Sequence, residues 1–265
     1  MRKTIGFVSL SVALFLLVSG GLAVGQSGPP AVVSDDGTLD FPTTGYEVLY
    51  RQLDDPSGSA FIDTDLPFGK DGYDAEGADD FIVTSPAGWD IKRVNTPGVW
   101  STSPGGALAE WVNTAFYTDA GGLPGAPLPG CVFPANVDFT DDGTGDLSVG
   151  VDCNAPPGVV WVSQQVRPLF FNLHYWSTRN AAAGNPFVWR NPLDGFDTGC
   201  TDWTPAATCG SFGNDTLFEI LGKERTTGPA TVVVGVPAVG PLGTGLLLLA
   251  LAGACAYVLG RRRRP

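Results

Sequence analysis

From Tyr46 to Gly222 no stretch places apolar residues at helical spacing, whereas short runs with every second residue apolar recur between turn signals. Tyr46, Val48 and Tyr50 mark one such face; Leu147, Val149 and Val151 mark another, separated by Ser148 and Gly150. Further strands are expected at Phe81–Thr84, Trp89–Val94 leading into Val99-Trp100, Glu110–Thr118, Val159–Val166, Leu169–Ser177, Phe187–Arg190 and Thr216–Gly222. Punctuated by many of the chain's 36 glycines and 22 prolines, such strands bury a core only by packing sheet on sheet. The expected fold class is therefore all-β: a single antiparallel β-sandwich over residues 45–222, with no internal break to divide it.

The flanks read differently. Arg2 and Lys3 precede an apolar run from Ile5 to Val18, and Ala23-Val24-Gly25 offers small residues for cleavage, so residues 1–25 are expected to be a signal peptide. Residues 26–44 form a polar leader, and residues 223–236 a spacer rich in Thr, Val, Gly and Pro. Leu242 to Gly260 is uncharged and meets the length of one transmembrane helix, for which about 20 residues are needed. Arg261–Arg264 follow at once and are expected to stay on the cytoplasmic side of the membrane, leaving everything upstream outside.

Removing Arg2, Lys3 and Arg261–Arg264 from the 15 basic residues leaves 9 against 27 acidic ones, a net charge of −18 for the exported part. Nucleic acid and anionic membrane surfaces want Lys and Arg and are poor partners for it. Of five cysteines, Cys255 lies in the apolar tail, and the other four suit an oxidising compartment. Four cysteines allow three pairings, and the spacing favours Cys131–Cys153 and Cys200–Cys209. The runs Val132–Thr140 and Asp146–Asp152 flank the turn Asp141–Gly145, and a hairpin centred there sets Cys131 opposite Cys153.

Two resemblances add to this. Val236-Pro237-Ala238-Val239-Gly240-Pro241, an apolar helix and a terminal arginine cluster resemble the PEP-CTERM and IPTL-CTERM sorting signals of Gram-negative bacteria, although neither Pro-Glu-Pro nor Ile-Pro-Thr-Leu is present. The resemblance implies a processing protease of the exosortase type as a partner. Ala78-Asp79-Asp80-Phe81-Ile82-Val83, the turn Phe116-Tyr117-Thr118-Asp119-Ala120-Gly121-Gly122-Leu123-Pro124-Gly125 and Val160-Trp161-Val162-Ser163 resemble a secreted bacterial surface domain. That resemblance implies a jelly-roll-like sandwich and no agreed catalytic residues.

The chain has one histidine, so any Ser-His-Asp or Cys-His arrangement must use His174. In the stretch from Leu169 to Trp176, the residues Leu169, Phe171, Leu173 and Tyr175 share a face expected to point inward. Asn172, His174 and Trp176 then stand outward, where an amide, an imidazole and an indole suit sugar rings. Trp189 and Arg190 are expected to help them, and Trp203 keeps similar polar company. Trp89, Trp100, Trp111 and Trp161 lie in apolar alternation and are expected in the core. Asp63, Asp65, Asp71, Asp74, Glu76, Asp79 and Asp80 crowd one segment and are candidate calcium ligands, though the EF-hand spacing is absent.

The expected function is an exported, surface-anchored, non-enzymatic module that binds extracellular polysaccharide or acts in adhesion, with calcium as the one candidate cofactor. One rival is a polysaccharide hydrolase or lyase using two carboxylates of the Asp63–Asp80 segment. The other is an envelope or matrix protein with no specific ligand.

Overall fold

The computed structural model describes residues 45–226, apart from 68, 102–108, 142 and 211. The expected signal peptide, leader and transmembrane tail, and the spacer from 227 onward, lie outside the described residues. Within them the chain is a succession of antiparallel strands. The first five are β1 (Glu47–Gln52), β2 (Pro56–Ile62), β3 (Glu76–Val83), β4 (Trp89–Thr96) and β5 (Gly98–Trp100). Next come β6 (Ala109–Asp119), β7 (Pro124–Asn136), β8 (Phe139–Asp141), β9 (Leu147–Ala155) and β10 (Gly158–Pro168). The last are β11 (His174–Arg179), β12 (Val188–Arg190), β13 (Thr204–Pro205), β14 (Asp215–Thr216) and β15 (Phe218–Glu224). The final strand thus takes in Lys223 and Glu224, which the sequence reading gave to the spacer.

A five-stranded sheet runs β1-β15-β4-β9-β8 and a six-stranded sheet runs β13-β12-β3-β10-β6-β7. The inward positions of both fill one apolar cluster that includes Phe81, Trp89, Phe116, Val160, Val162 and Phe218. Strand β10 shows why this sequence makes a two-faced strand. Val160, Val162 and Val166 are buried in that cluster, while Trp161, Ser163, Gln165 and Arg167 take the opposite face. Each large side chain removed from water there contributes about 1.5–3 kcal/mol.

Except for the β6–β7 hairpin, the long strands alternate between the two sheets along the chain. Antiparallel pairing therefore puts the connections β1–β3, β4–β6, β7–β9 and β10–β15 at the same end of the sandwich. Three of these connections supply a small third sheet, in which β11 pairs with β2, β5 and β14. This sheet closes that end.

The hairpin turn shows what its sequence is for. The Asp119 carboxylate accepts hydrogen bonds from the backbone N–H of Gly121 and Gly122, each 3.0 Å, and both glycines have positive φ. The same carboxylate accepts the Trp161 Nε1–H at 3.0 Å, tying the turn to the neighbouring strand.

Both expected disulfides are present, but the first works differently from the hairpin reading. Strands β8 and β9 do pair, with Asp141 opposite Leu147, yet residues 124–136 belong to the other sheet as β7. Cys131–Cys153, with its Cα atoms 4.8 Å apart, thus joins the six-stranded sheet to the five-stranded one. Cys200–Cys209 closes a short loop before β14, with Cα atoms 6.0 Å apart.

Candidate functional site

The expected outward face of residues 169–176 is inverted. Pro168 ends β10, and residues 169–173 make the turn into β11, so the apparent alternation ran across a turn. Phe170 and Phe171 are 64% and 60% exposed, whereas His174 and Trp176 are fully buried and Asn172 nearly so. Trp176 donates its Nε1–H to the Leu217 carbonyl at 2.7 Å, and Trp189 donates to the Ile62 carbonyl at 2.8 Å. The Asn172 amide oxygen accepts the Ser101 hydroxyl. These four residues are packing and hydrogen-bonding groups inside the capped end. Arg190 alone of the expected set reaches a surface.

His174 joins the loops of that end. Its Nδ1 lies 2.6 Å from Asp63 Oδ1 and its Nε2 lies 2.8 Å from the Gly145 carbonyl. With Asp63 ionised both partners are acceptors, so the two bonds together require the imidazolium form. Burial by itself would push the His174 pKa down, but the Asp63 charge, the Asp63 hydrogen bond and the Gly145 carbonyl outweigh it and raise it. Asp63 Oδ2 accepts Gln164 Nε2 at 3.0 Å, and Trp100 sets its ring edge-on to the imidazole at 4.9 Å. Gly98 must be glycine here, since a Cβ would sit 2.6 Å from His174 Nε2.

The seven carboxylates of the 63–80 segment do not converge on one point. Asp63 is held by His174, Asp65 by Arg167 at 2.6 Å, and Glu76 by Arg190 at 2.9 Å. Asp74 accepts the Leu66 N–H at 2.7 Å, and Asp71 is exposed in a short 3-10 turn. Asp79 and Asp80 are consecutive on β3 and point to opposite faces. Asp79 accepts Gln52 Nε2 and the backbone and hydroxyl of Thr216, while Asp80 accepts the Asn185 N–H and amide. Among the described residues no group of three or more such side chains is placed to hold a metal ion.

A cleft of about 300 Å³ opens beside β1 and β3, lined by Leu49, Tyr50, Asp80, Phe81, Trp89 and Gly184. Its walls are mostly apolar and its one carboxylate is already engaged by Asn185.

A different surface combines aromatic rings with polar groups: the outer face of the six-stranded sheet. Strand pairing sets Trp111 opposite Arg167, Asn113 opposite Gln165, and Tyr117 opposite Trp161. Trp161 is buried with Ala78 and Val188 as the floor of this face, and Tyr117, Leu123 and Trp203 pack on it half-buried. Trp203 meets Tyr117 edge-on at 5.9 Å, and the Arg190 guanidinium lies 4.0 Å over the Trp203 ring. At the other end the Arg167 guanidinium lies 5.2 Å over the half-buried Trp111 ring. Trp111 is thus a surface residue, because its strand position faces outward rather than into the core. Between the two ends Asn113 donates to Gln165 at 3.1 Å, and the Ser163 hydroxyl faces Tyr117. Burial first, and the Glu76 charge next, raise the Tyr117 pKa, so the phenol stays neutral and able to donate.

No family model, no curated protein and no solved structure matches the chain.

Proposed function

We propose that this is an exported, surface-displayed jelly-roll module that binds polysaccharide through the outer face of its six-stranded sheet. The jelly-roll reading is supported by the strand order: β1-β15-β4-β9 faces β3-β10-β6-β7, the order of two Greek keys wrapped together. Export is supported by the two disulfides, which fit an oxidising compartment. The sequence ends support display at the membrane or surface and processing by an exosortase-type protease.

The observation that carries the binding role is the band of half-buried Trp111, Tyr117 and Trp203 interleaved with Asn113, Gln165, Arg167 and Arg190. Aromatic faces stack on the apolar faces of sugars, and amide and guanidinium groups fix hydroxyls. The test is a glycan panel run beside an assay for released reducing ends. Binding without release, weakened by Trp203→Ala in a folded protein, is expected. Release of sugar would replace this reading with a hydrolase or lyase, and absence of both would leave a structural protein.

A further inference from the structure

Resting on that reading, we infer that the face takes an internal segment of a neutral glycan chain laid along β6, held at two separate aromatic stations. Trp203 with Tyr117 makes one station and Trp111 the other. Tyr117 and Trp111 lie six residues apart on β6, and their pairing with Trp161 and Arg167 of β10 runs without a shift in register. At the rise of an extended strand that separation is about 20 Å, longer than one sugar ring and matched to several in a row. Each station has the same plan: an indole with a guanidinium over its ring, and that guanidinium bonded to a carboxylate.

The paired charges decide the ligand's chemistry. Asp65 neutralises Arg167 and Glu76 neutralises Arg190, so neither cation is left to attract a uronate or a sulfate. Bringing an anionic sugar there would set its charge against those carboxylates in a domain that is already strongly acidic. Hydroxyl groups, by contrast, can both donate to the carboxylate and accept from the guanidinium. The Asn113–Gln165 amide pair between the stations continues that mixed donor and acceptor surface. A chain end is not required of a ligand lying along this sheet face, where Trp111, Asn113, Tyr117, Gln165 and Arg167 are each partly exposed.

The experiment is a calorimetric titration of the purified full chain with cello- and manno-oligosaccharides of increasing length, with oligogalacturonates as the charged counterpart. Affinity for a neutral series should rise with length and level off once both stations are spanned. Trp111→Ala and Trp203→Ala should each weaken the long ligands about tenfold, the equivalent of roughly 1.4 kcal/mol, while Trp111→Ala leaves the shortest ligand bound at the other station unchanged. Trp111→Tyr, which keeps a ring, should recover most of the loss and separates stacking from misfolding. Equal affinity for short and long ligands, or a loss confined to one tryptophan, overturns the two-station arrangement and leaves the carbohydrate reading intact. Preference for oligogalacturonate overturns the neutral assignment. No binding by any series to the folded protein overturns the carbohydrate reading itself.

Discussion

His174 has lost contact with water and gained two acceptors, Asp63 and the Gly145 carbonyl, contributed by two other connections of the capped end. Removing one member of such a pair leaves the other charge buried and uncompensated, at a cost of about 3–5 kcal/mol. His174→Ala should therefore lower the urea midpoint strongly, and adding Asp63→Asn should restore part of the loss. An unchanged midpoint in the single variant would show that the ion pair is not what holds the capped end closed. The carboxylates nearby follow a similar logic, each occupied by a protein partner or left on the surface. Excess chelator should accordingly leave the melting curve where it is. A fall in melting temperature, reversed by calcium, would show instead that oxygen ligands come together in solution.

At the scale of the elements, Cys131–Cys153 is, among the described residues, the one disulfide that joins the two large sheets. Closing a loop of 22 residues, it should contribute about 3 kcal/mol by constraining the unfolded chain, and Cys200–Cys209, closing 9, somewhat less. Denaturant titrations of the two double-serine variants check the order. The pairing was legible in cysteine spacing, but its role was not, because the sequence cannot say that residues 124–136 desert the hairpin for the other sheet. Strands with period-two patterning, such as β9 and β10, were legible for the same reason that they form. The stretch from Leu169 was misread because three apolar residues after Pro168 imitate a buried strand while lying in an exposed turn. The sheet face escaped notice because strand pairing assembles it from distant positions: Glu76 meets Arg190, and Asp65 meets Arg167. Arg190 and Trp203 were the fragments of it visible in the sequence itself.

For the molecule as a whole, the buried acids and the histidine push stability in one direction with pH. Burial raises Asp74 and Asp215 to about 6, raises Asp80, and raises Asp79 well above its ordinary value, with the Asp215 charge adding to the rise at Asp79. An acid whose pKa is higher folded than unfolded holds its proton longer in the fold, so its contribution is complete below 3.8 and fades as pH climbs through about 6. His174 acts likewise: its contribution is complete below 6.5 and fades above that, as pH rises through its raised folded value. Asp119, lowered chiefly by the Trp161 hydrogen bond, opposes this only in stronger acid, because its contribution is lost as pH falls through its depressed pKa. The melting temperature should therefore rise on acidification from pH 8 to pH 5. A fall over that interval would contradict the protonated buried network.

The bridge between the sheets also gives the molecule a route for tension. A pull on the chain beyond Glu224 enters β15, which lies between β1 and β4 and so loads two ladders of hydrogen bonds in shear. From β4 the strain passes to β9, crosses to β7 through the Cys131–Cys153 sulfurs, and arrives at β6, the strand that carries Trp111 and Tyr117. Nowhere on that path must the apolar layer between the sheets resist sliding. Under oxidising conditions a domain gripped at one face and tugged by its C-terminal strand behaves as a rivet; reduced, it must carry the same load through the apolar layer and the backbone crossovers.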